Sequence, residues 1–175
     1  MKFPRPLGTL LSSLLMAGFL LGCGAYNFTG GDVGTAETFQ VNYFQNYASQ
    51  RPGSTFDPGL DRDFTLALQD LILTQTSLDL VTSGGDLLYE GEIVEYRVSP
   101  MTATAEQRAA QNRLTIAVNV RFYNKTKEEA NFEQRFSFFY DYPASAQLVS
   151  VRDEAHQEIF ERINQDIFNK SLADW

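Results

Sequence analysis

The segment LTIAVNVRFY, residues 114–123, has the clearest alternation of apolar and polar residues in the chain. Successive side chains of a strand point to opposite faces of a sheet, so a period of two predicts a strand with one buried face. The residues predicted to point inward are Leu114, Ile116, Val118, Val120 and Phe122. The outward set includes Thr115, Asn119 and Arg121.

Two neighbouring segments complete a predicted antiparallel meander. Residues 132–141, FEQRFSFFYD, alternate in the same way after a short charged turn at 124–130, which predicts a hairpin with the first segment. Residues 87–99 form a third strand that Pro100 should end. The apolar parity of this strand changes after Ile93, which predicts a β-bulge near Val94 or Glu95.

The remaining elements are two shorter strands and two helices. Alternation at 37–47, with Phe39, Val41 and Tyr43 inward, predicts the first strand, and residues 78–82 predict another. A helix over residues 57–74 is predicted with Asp57 as N-cap and Pro58 at its first position. Its predicted core stripe is Leu60, Phe64, Ala67, Leu68 and Leu71.

The last helix is predicted from about Ser150, as its N-cap, to about Leu172. Its inner stripe comprises Val151, Ala155, Ile159, Ile163 and, at its edge, Phe160 and Ile167. The order of elements therefore predicts an α+β two-layer sandwich, a mostly antiparallel sheet of about four to five strands with two helices packed on one face.

Composition limits the partners of this domain. The formal net charge is −8 over 175 residues, which disfavours binding to nucleic acid and to anionic membrane faces in general. Aromatic residues make up 13% of the chain, and they supply large buried areas for a core that has no disulfide.

The N-terminus has the pattern of an export signal. Lys2 and Arg5 precede an apolar run from Leu7 to Leu21, and Gly22 stands before Cys23, the only cysteine. Leu20-Leu21-Gly22-Cys23 resembles the bacterial lipobox, which implies that Cys23 is acylated and becomes the first mature residue. We therefore expect a lipoprotein signal peptide at 1–22, a lipidated tether at 23–36 and a single domain at 37–175. The alternatives are an ordinary secretory signal or a short spanning anchor, but the run is below the roughly 20 residues that spanning requires.

No enzyme motif is found, and we expect no cofactor and no metal site. The one histidine, His156, lacks a nucleophile or metal-ligand companions in any recognisable pattern, so a structural role is expected. Glu90 and Glu92 share a face of a strand, where a solvated face is a simpler interpretation than a catalytic pair. The glycines at 84, 85 and 91 form no phosphate-binding loop.

Two surface features have both a structural and a functional interpretation. Leu66 and Leu73 point away from the core stripe of the first helix, as isolated exposed leucines or as a small patch for a partner protein. Arg97, Arg113 and Arg121 on the outer sheet face either pair with acidic neighbours or bind phosphate or carboxylate groups of an anionic glycolipid.

Several blocks, in this order, resemble the LptE family of lipopolysaccharide-assembly lipoproteins, particularly its Bacteroidetes branch. They are CGAYNFTG at 23–30, LYEGEIVEYRVSP at 88–100, NRLTIAV at 112–118, FEQRFSF at 132–138 and DIFNK at 166–170. The resemblance implies a non-enzymatic lipoprotein on the periplasmic face of the outer membrane, held there by its lipid anchor. It also implies a role as a plug in the LptD β-barrel during transport of lipopolysaccharide. Only Cys23 matches a family functional position. The alternative is a freestanding periplasmic or surface-exposed lipoprotein that binds a ligand or stabilises the envelope.

Overall fold

The computed structural model describes residues 31–101 and 110–173. The predicted signal peptide, most of the tether, the loop at 102–109 and Trp175 lie outside these ranges. The described elements, in chain order, are β1 (Thr38–Val41), β2 (Gln45–Asn46), α1 (Leu60–Gln75), β3 (Asp79–Leu80), β4 (Leu87–Met101), β5 (Gln111–Asn124), β6 (Phe132–Pro143) and α2 (Leu148–Leu172).

The described strands form one mixed sheet in the order β3-β1-β4-β5-β6, and β2 also pairs with β4. The three long strands β4, β5 and β6 are antiparallel, as the alternation predicted. The short strands β1, β2 and β3 join this meander through parallel pairings. The predicted α+β fold is therefore confirmed, with six strands.

The predicted β-bulge is confirmed on β4. The register passes from Ile93 opposite Val118 to Glu95 opposite Ala117, so Val94 is the additional residue. This insertion returns Tyr96 to the core side of the sheet, where its side chain is fully buried. It also places Arg97 on the outer face.

One hydrophobic core lies between the sheet and the two helices, which contact each other. The Phe64 ring of α1 lies at the centre of this contact. Its centroid is 5.0 Å from that of Phe44, near the sheet edge, and 5.5 Å from that of Phe160 on α2. Through these edge-to-face aromatic pairs, α1 packs both against the edge of the sheet and against α2.

Both predicted N-caps are wrong. α1 begins at Leu60 after Gly59, whose φ of 93° is left-handed. Asp57 does not cap the helix; its side chain is buried near the Tyr96 hydroxyl. α2 begins at Leu148 with Gln147 at the cap, and the Ser150 hydroxyl donates to the Gln147 carbonyl. In both cases the sequence pattern located the helix but not its first turn.

The edge of the sheet also departs from the prediction. After Val41 the chain leaves β1, so Tyr43 is 51% exposed and Phe44 is buried in its place. Pro100 does not end β4, which continues to Met101. A proline is tolerated near a strand end, where the loss of one donor costs little.

Candidate functional site

The three arginines predicted as a site lie on the outer face of the sheet but not at one point. Arg113 and Arg121 are eight residues apart on β5, which places them about 26 Å apart along the strand. Arg97 lies opposite Thr115, so it is a diagonal neighbour of Arg113. Arg97 and Arg113 therefore share one end of the face, and Arg121 is separate.

Arg121 lies between two carboxylates of the neighbouring strand. Its Nε donates to Glu90 at 3.2 Å and its Nη1 donates to Glu92 at 3.0 Å. These hydrogen bonds and charges raise the pKa of Arg121 above its already high value. Glu90 and Glu92 thus act as ion-pair partners, in agreement with the solvated-face interpretation.

Arg113 has the most elaborate environment of the three. Its Nε and Nη2 donate to the two carboxylate oxygens of Asp141 on β6, at 2.7 and 2.8 Å. The central guanidinium carbon lies 3.6 Å from the centre of the Phe139 ring. A bidentate ion pair and a cation–π contact therefore hold one side chain across two strands.

Arg97 shares a carboxylate with a second arginine. Its Nη2 lies 2.8 Å from Glu95, the same residue to which Arg135 of β6 donates. On these three strands the outer face carries four arginines and five carboxylates. The face is a network of paired charges rather than a basic patch, and an anionic ligand would have to displace a carboxylate from each arginine. Ligand binding by these arginines stays a prediction.

A buried polar cluster surrounds the single histidine. His156 Nε2 lies 3.0 Å from the Tyr96 hydroxyl, and that hydroxyl lies 3.5 Å from Asp57. Arg152 approaches the same Asp57 carboxylate at 3.8 Å. Burial lowers the pKa of His156, and the nearby Asp57 charge opposes that shift only partly. The sequence did not indicate that Asp57 and Arg152 belong to this cluster, because the two residues are 95 positions apart and meet only in the folded chain.

The two leucines of α1 are exposed as the sequence predicted. Leu66 is 49% and Leu73 45% accessible, and they lie one heptad apart on the side of α1 away from the core. Asp70 lies between them on the exposed surface. Their role as a contact for a partner protein stays a prediction.

A shallow cavity of about 230 Å³ lies where the tether joins the domain. The Asp32 amide donates to the Leu172 carbonyl at 2.6 Å, which fixes the chain entry at the end of α2. Lys127 and Lys170 line the cavity together with Asp32 and Glu129. Because these charges are balanced, the cavity does not favour an ion of either sign. In the sequence, only the glycines of the tether indicated that its backbone could approach the end of α2 closely.

Within the part of the chain that the structure describes, no cluster of histidine, cysteine and acidic side chains has a metal-binding arrangement. Among the same residues, no helix combines the length and hydrophobicity needed to cross a bilayer.

Known proteins resemble this chain in sequence pattern and in fold. A family model described as LptE, Lipopolysaccharide-assembly, matches residues 36–171. A hypothetical protein from Chlamydia trachomatis aligns with a TM-score of 0.52 at 8% identity, over 79% of this chain and 99% of that one. A protein from Xanthomonas campestris aligns with a TM-score of 0.50 at 10% identity, over 81% and 86%.

A minor lipoprotein from Acinetobacter baumannii aligns with a TM-score of 0.48 at 10% identity, over 77% and 91%. No curated protein sequence matches the chain. At these identities the likeness to solved structures concerns the fold alone, whereas the family model covers all six strands and nearly all of both helices.

Proposed function

Because this chain belongs to the LptE family of lipopolysaccharide-assembly proteins, we propose that it is a lipid-anchored outer-membrane lipoprotein that plugs an LptD-like β-barrel. Its role in lipopolysaccharide assembly then consists of occupying and supporting the barrel, without catalysis. The observation that carries the proposal is the family match over residues 36–171, which includes every described strand and nearly all residues of the hydrophobic core.

The outer face of the sheet has the chemistry that a barrel lumen requires. The interior of large outer-membrane barrels is polar and hydrated, so a plug must present charged or hydrogen-bonding groups. Arg113 and Asp141 form a neutral ion pair on this face, and Arg121 with Glu90 and Glu92 forms a cluster with one net negative charge. Because ion-paired side chains of this kind stay hydrated in a water-filled lumen, they do not need an opposite charge at every facing position of the barrel wall.

The anchor supplies the second part of the proposal. Acylation of Cys23 with two or more chains would hold the protein permanently at the membrane. Gly31, where the described chain begins, is eight positions after Cys23, so this part of the tether reaches at most about 28 Å. The domain thus stays within reach of a barrel in the same membrane.

Direct contact with lipopolysaccharide is a finer part of the proposal. Arg97, Arg113 and Arg121 could each exchange a carboxylate for a phosphate, since the guanidinium binds both in the same bidentate manner. We choose Arg121 for the test, because its guanidinium already binds two carboxylates. Replacement of Arg121 by Gln should weaken binding of lipopolysaccharide to the purified protein, whereas replacement of the exposed Arg62 by Gln should leave it unchanged.

Purification from detergent-solubilised membranes tests the main proposal. A tagged copy of the chain should recover a large barrel protein in a one-to-one ratio, and mass spectrometry should find acyl groups on Cys23. The matched control, Cys23→Ala, should lose the acyl groups and recover much less barrel. Recovery of the acylated lipoprotein without a barrel would support the freestanding alternative instead.

A further inference from the structure

Strand β6 leaves one long edge of the sheet open. Among residues 31–101 and 110–173 it pairs with β5 alone, from Phe122 opposite Phe132 to Gln111 opposite Pro143. Alternate backbone amides and carbonyls along its other side therefore have no strand partner in that part of the chain. An open edge of this length is a template for another strand.

The side chains of β6 make this edge unusually aromatic. Phe132, Phe138 and Tyr140 point to the core side but are only partly covered, and Phe139 on the outer face is 39% exposed. Two charged side chains of helix α2 lie over two of the rings on the core side. The guanidinium carbon of Arg162 lies 5.3 Å from the centre of the Phe138 ring, and the amine of Lys170 lies 5.9 Å from that of Phe132.

We propose that β6 pairs antiparallel with β6 of a second copy of this chain, about a two-fold axis at Phe138, and that the two sheets become one. In this register residues 133–143 of one copy lie opposite residues 143–133 of the other. Arg135 of each copy then stands opposite Asp141 of the other, on the outer face. A two-fold interface repeats each such contact, so one favourable pair counts twice.

Only an axis at Phe138 places Arg135 opposite Asp141, and two other registers bring like charges opposite each other. Side chains of paired residues point to the same face, so only shifts that keep the parity are possible. An axis at Ser137 would place Glu133 opposite Asp141, and an axis at Arg135 would place that arginine opposite itself. Like charges directly opposite each other destabilise a sheet.

The core side of the strand gives a second reason for the same axis. With the axis at Phe138, this ring meets its own copy, and Phe136 lies opposite Tyr140. Aromatic residues that face each other across strands are favourable pairs. Asp141 would keep its pair with Arg113 of its own chain, whereas Arg135 would turn from Glu95 of its own chain to Asp141 of the other. The inference goes beyond the proposed function, since it concerns the protein outside the barrel.

Disulfide cross-linking in membranes of cells that overproduce the lipoprotein, so that copies outside the barrel are present, tests the register. Full-length chains with Phe138→Cys, Ser137→Cys or Phe139→Cys are oxidised and separated without reductant, with the parent chain as the blank. Only directly opposed residues bring two cysteines within disulfide distance. We expect a linked dimer from Phe138→Cys and at least about tenfold less from the other two variants. A dimer from Ser137→Cys or Phe139→Cys in preference to Phe138→Cys would overturn the proposal, as would a partner of a different mass.

Sedimentation of the detergent-solubilised lipoprotein gives an independent measurement that does not depend on Phe138. Arg135→Glu and Arg97→Glu both remove a contact with Glu95, but only Arg135 lies on the open edge. We expect Arg135→Glu to weaken dimerisation by about tenfold or more, and Arg97→Glu to leave it as in the parent chain. Equal effects of the two variants, or a monomeric parent chain at about 100 μM, would overturn the proposal.

Discussion

The guanidinium of Arg113 on β5 lies 3.6 Å from the ring centre of Phe139 on β6, while the same guanidinium forms a bidentate pair with Asp141. One arginine thus binds two residues of the neighbouring strand. This contact lies on the outer face of the sheet, on the opposite side from the hydrophobic core. It therefore stabilises the pairing of β5 with β6 in addition to the packing in the core. The outer face therefore contributes to the stability of the sheet as well as to its solubility.

Replacement of Arg113 by Lys should lower the free energy of unfolding by about 1 kcal/mol. Lysine keeps the charge but loses both the bidentate hydrogen bonds to Asp141 and the planar stacking on Phe139. Urea unfolding measures the change. Arg97→Lys is the matched control, because Arg97 is 53% exposed and pairs with Glu95 alone; it should stay within about 0.5 kcal/mol of the parent protein. Similar losses for the two variants would contradict this account of the Arg113 site.

Gly91 in β4 should not accept even one methyl group. A Cβ there would lie 2.0 Å from the Asn119 carbonyl oxygen and 2.8 Å from the Phe44 ring. Gly91→Ala should therefore reduce the free energy of unfolding by at least about 2 kcal/mol. Gly84→Ala is the control, since its Cβ meets open space and only the left-handed φ of 77° opposes it; it should cost about 1 kcal/mol. If the two variants were equally stable, the close packing of Phe44 against β4 would be wrong.

Stability should fall as the pH is lowered from 7.5 to 5.5. Burial lowers the pKa of His156, so below about pH 6.5 the unfolded chain takes up a proton that the folded protein resists. The stability that the neutral imidazole contributes is therefore fully present above the unfolded pKa and decreases as the pH falls through the folded pKa. The imidazole signals of this single histidine report the folded pKa by NMR.

The control for this pH dependence is His156→Gln. This variant should show a flatter free energy of unfolding between pH 7.5 and 5.5 than the parent protein, whatever its absolute stability. A parent protein whose stability rises over the same interval as the pH falls would contradict the assignment of a buried, neutral His156.

Local patterns predicted the centre of the fold well. The period of two at 114–123 and 132–141 identified β5, β6 and their inward side chains, because alternation follows directly from strand geometry. The change of parity after Ile93 located the β-bulge for the same reason. The apolar stripes of α1 and α2 were likewise predicted, and Leu60, Phe64 and Ile159 are fully buried.

Features that depend on distant residues were not predictable in the same way. Asp57 has the sequence context of an N-cap, yet its carboxylate does not cap the helix. It lies beside Tyr96 and Arg152, which are remote in sequence. The acidic partners of the arginines follow from strand register, which single residues do not reveal. The sequence identified the outer face as polar, but only the register showed that each predicted arginine is paired.

The central claim, that the domain lies inside a barrel, is tested most directly by photo-crosslinking in cells from opposite sides of the sandwich. A photoreactive residue replaces Tyr123 on the outer face of the sheet in one variant and Leu66 on α1 in another, because both positions are exposed. A domain enclosed by a barrel should crosslink to the same large outer-membrane barrel protein from both positions. Capture from one position alone would indicate docking on the outside of the barrel, and absence of the barrel from both products would contradict the account.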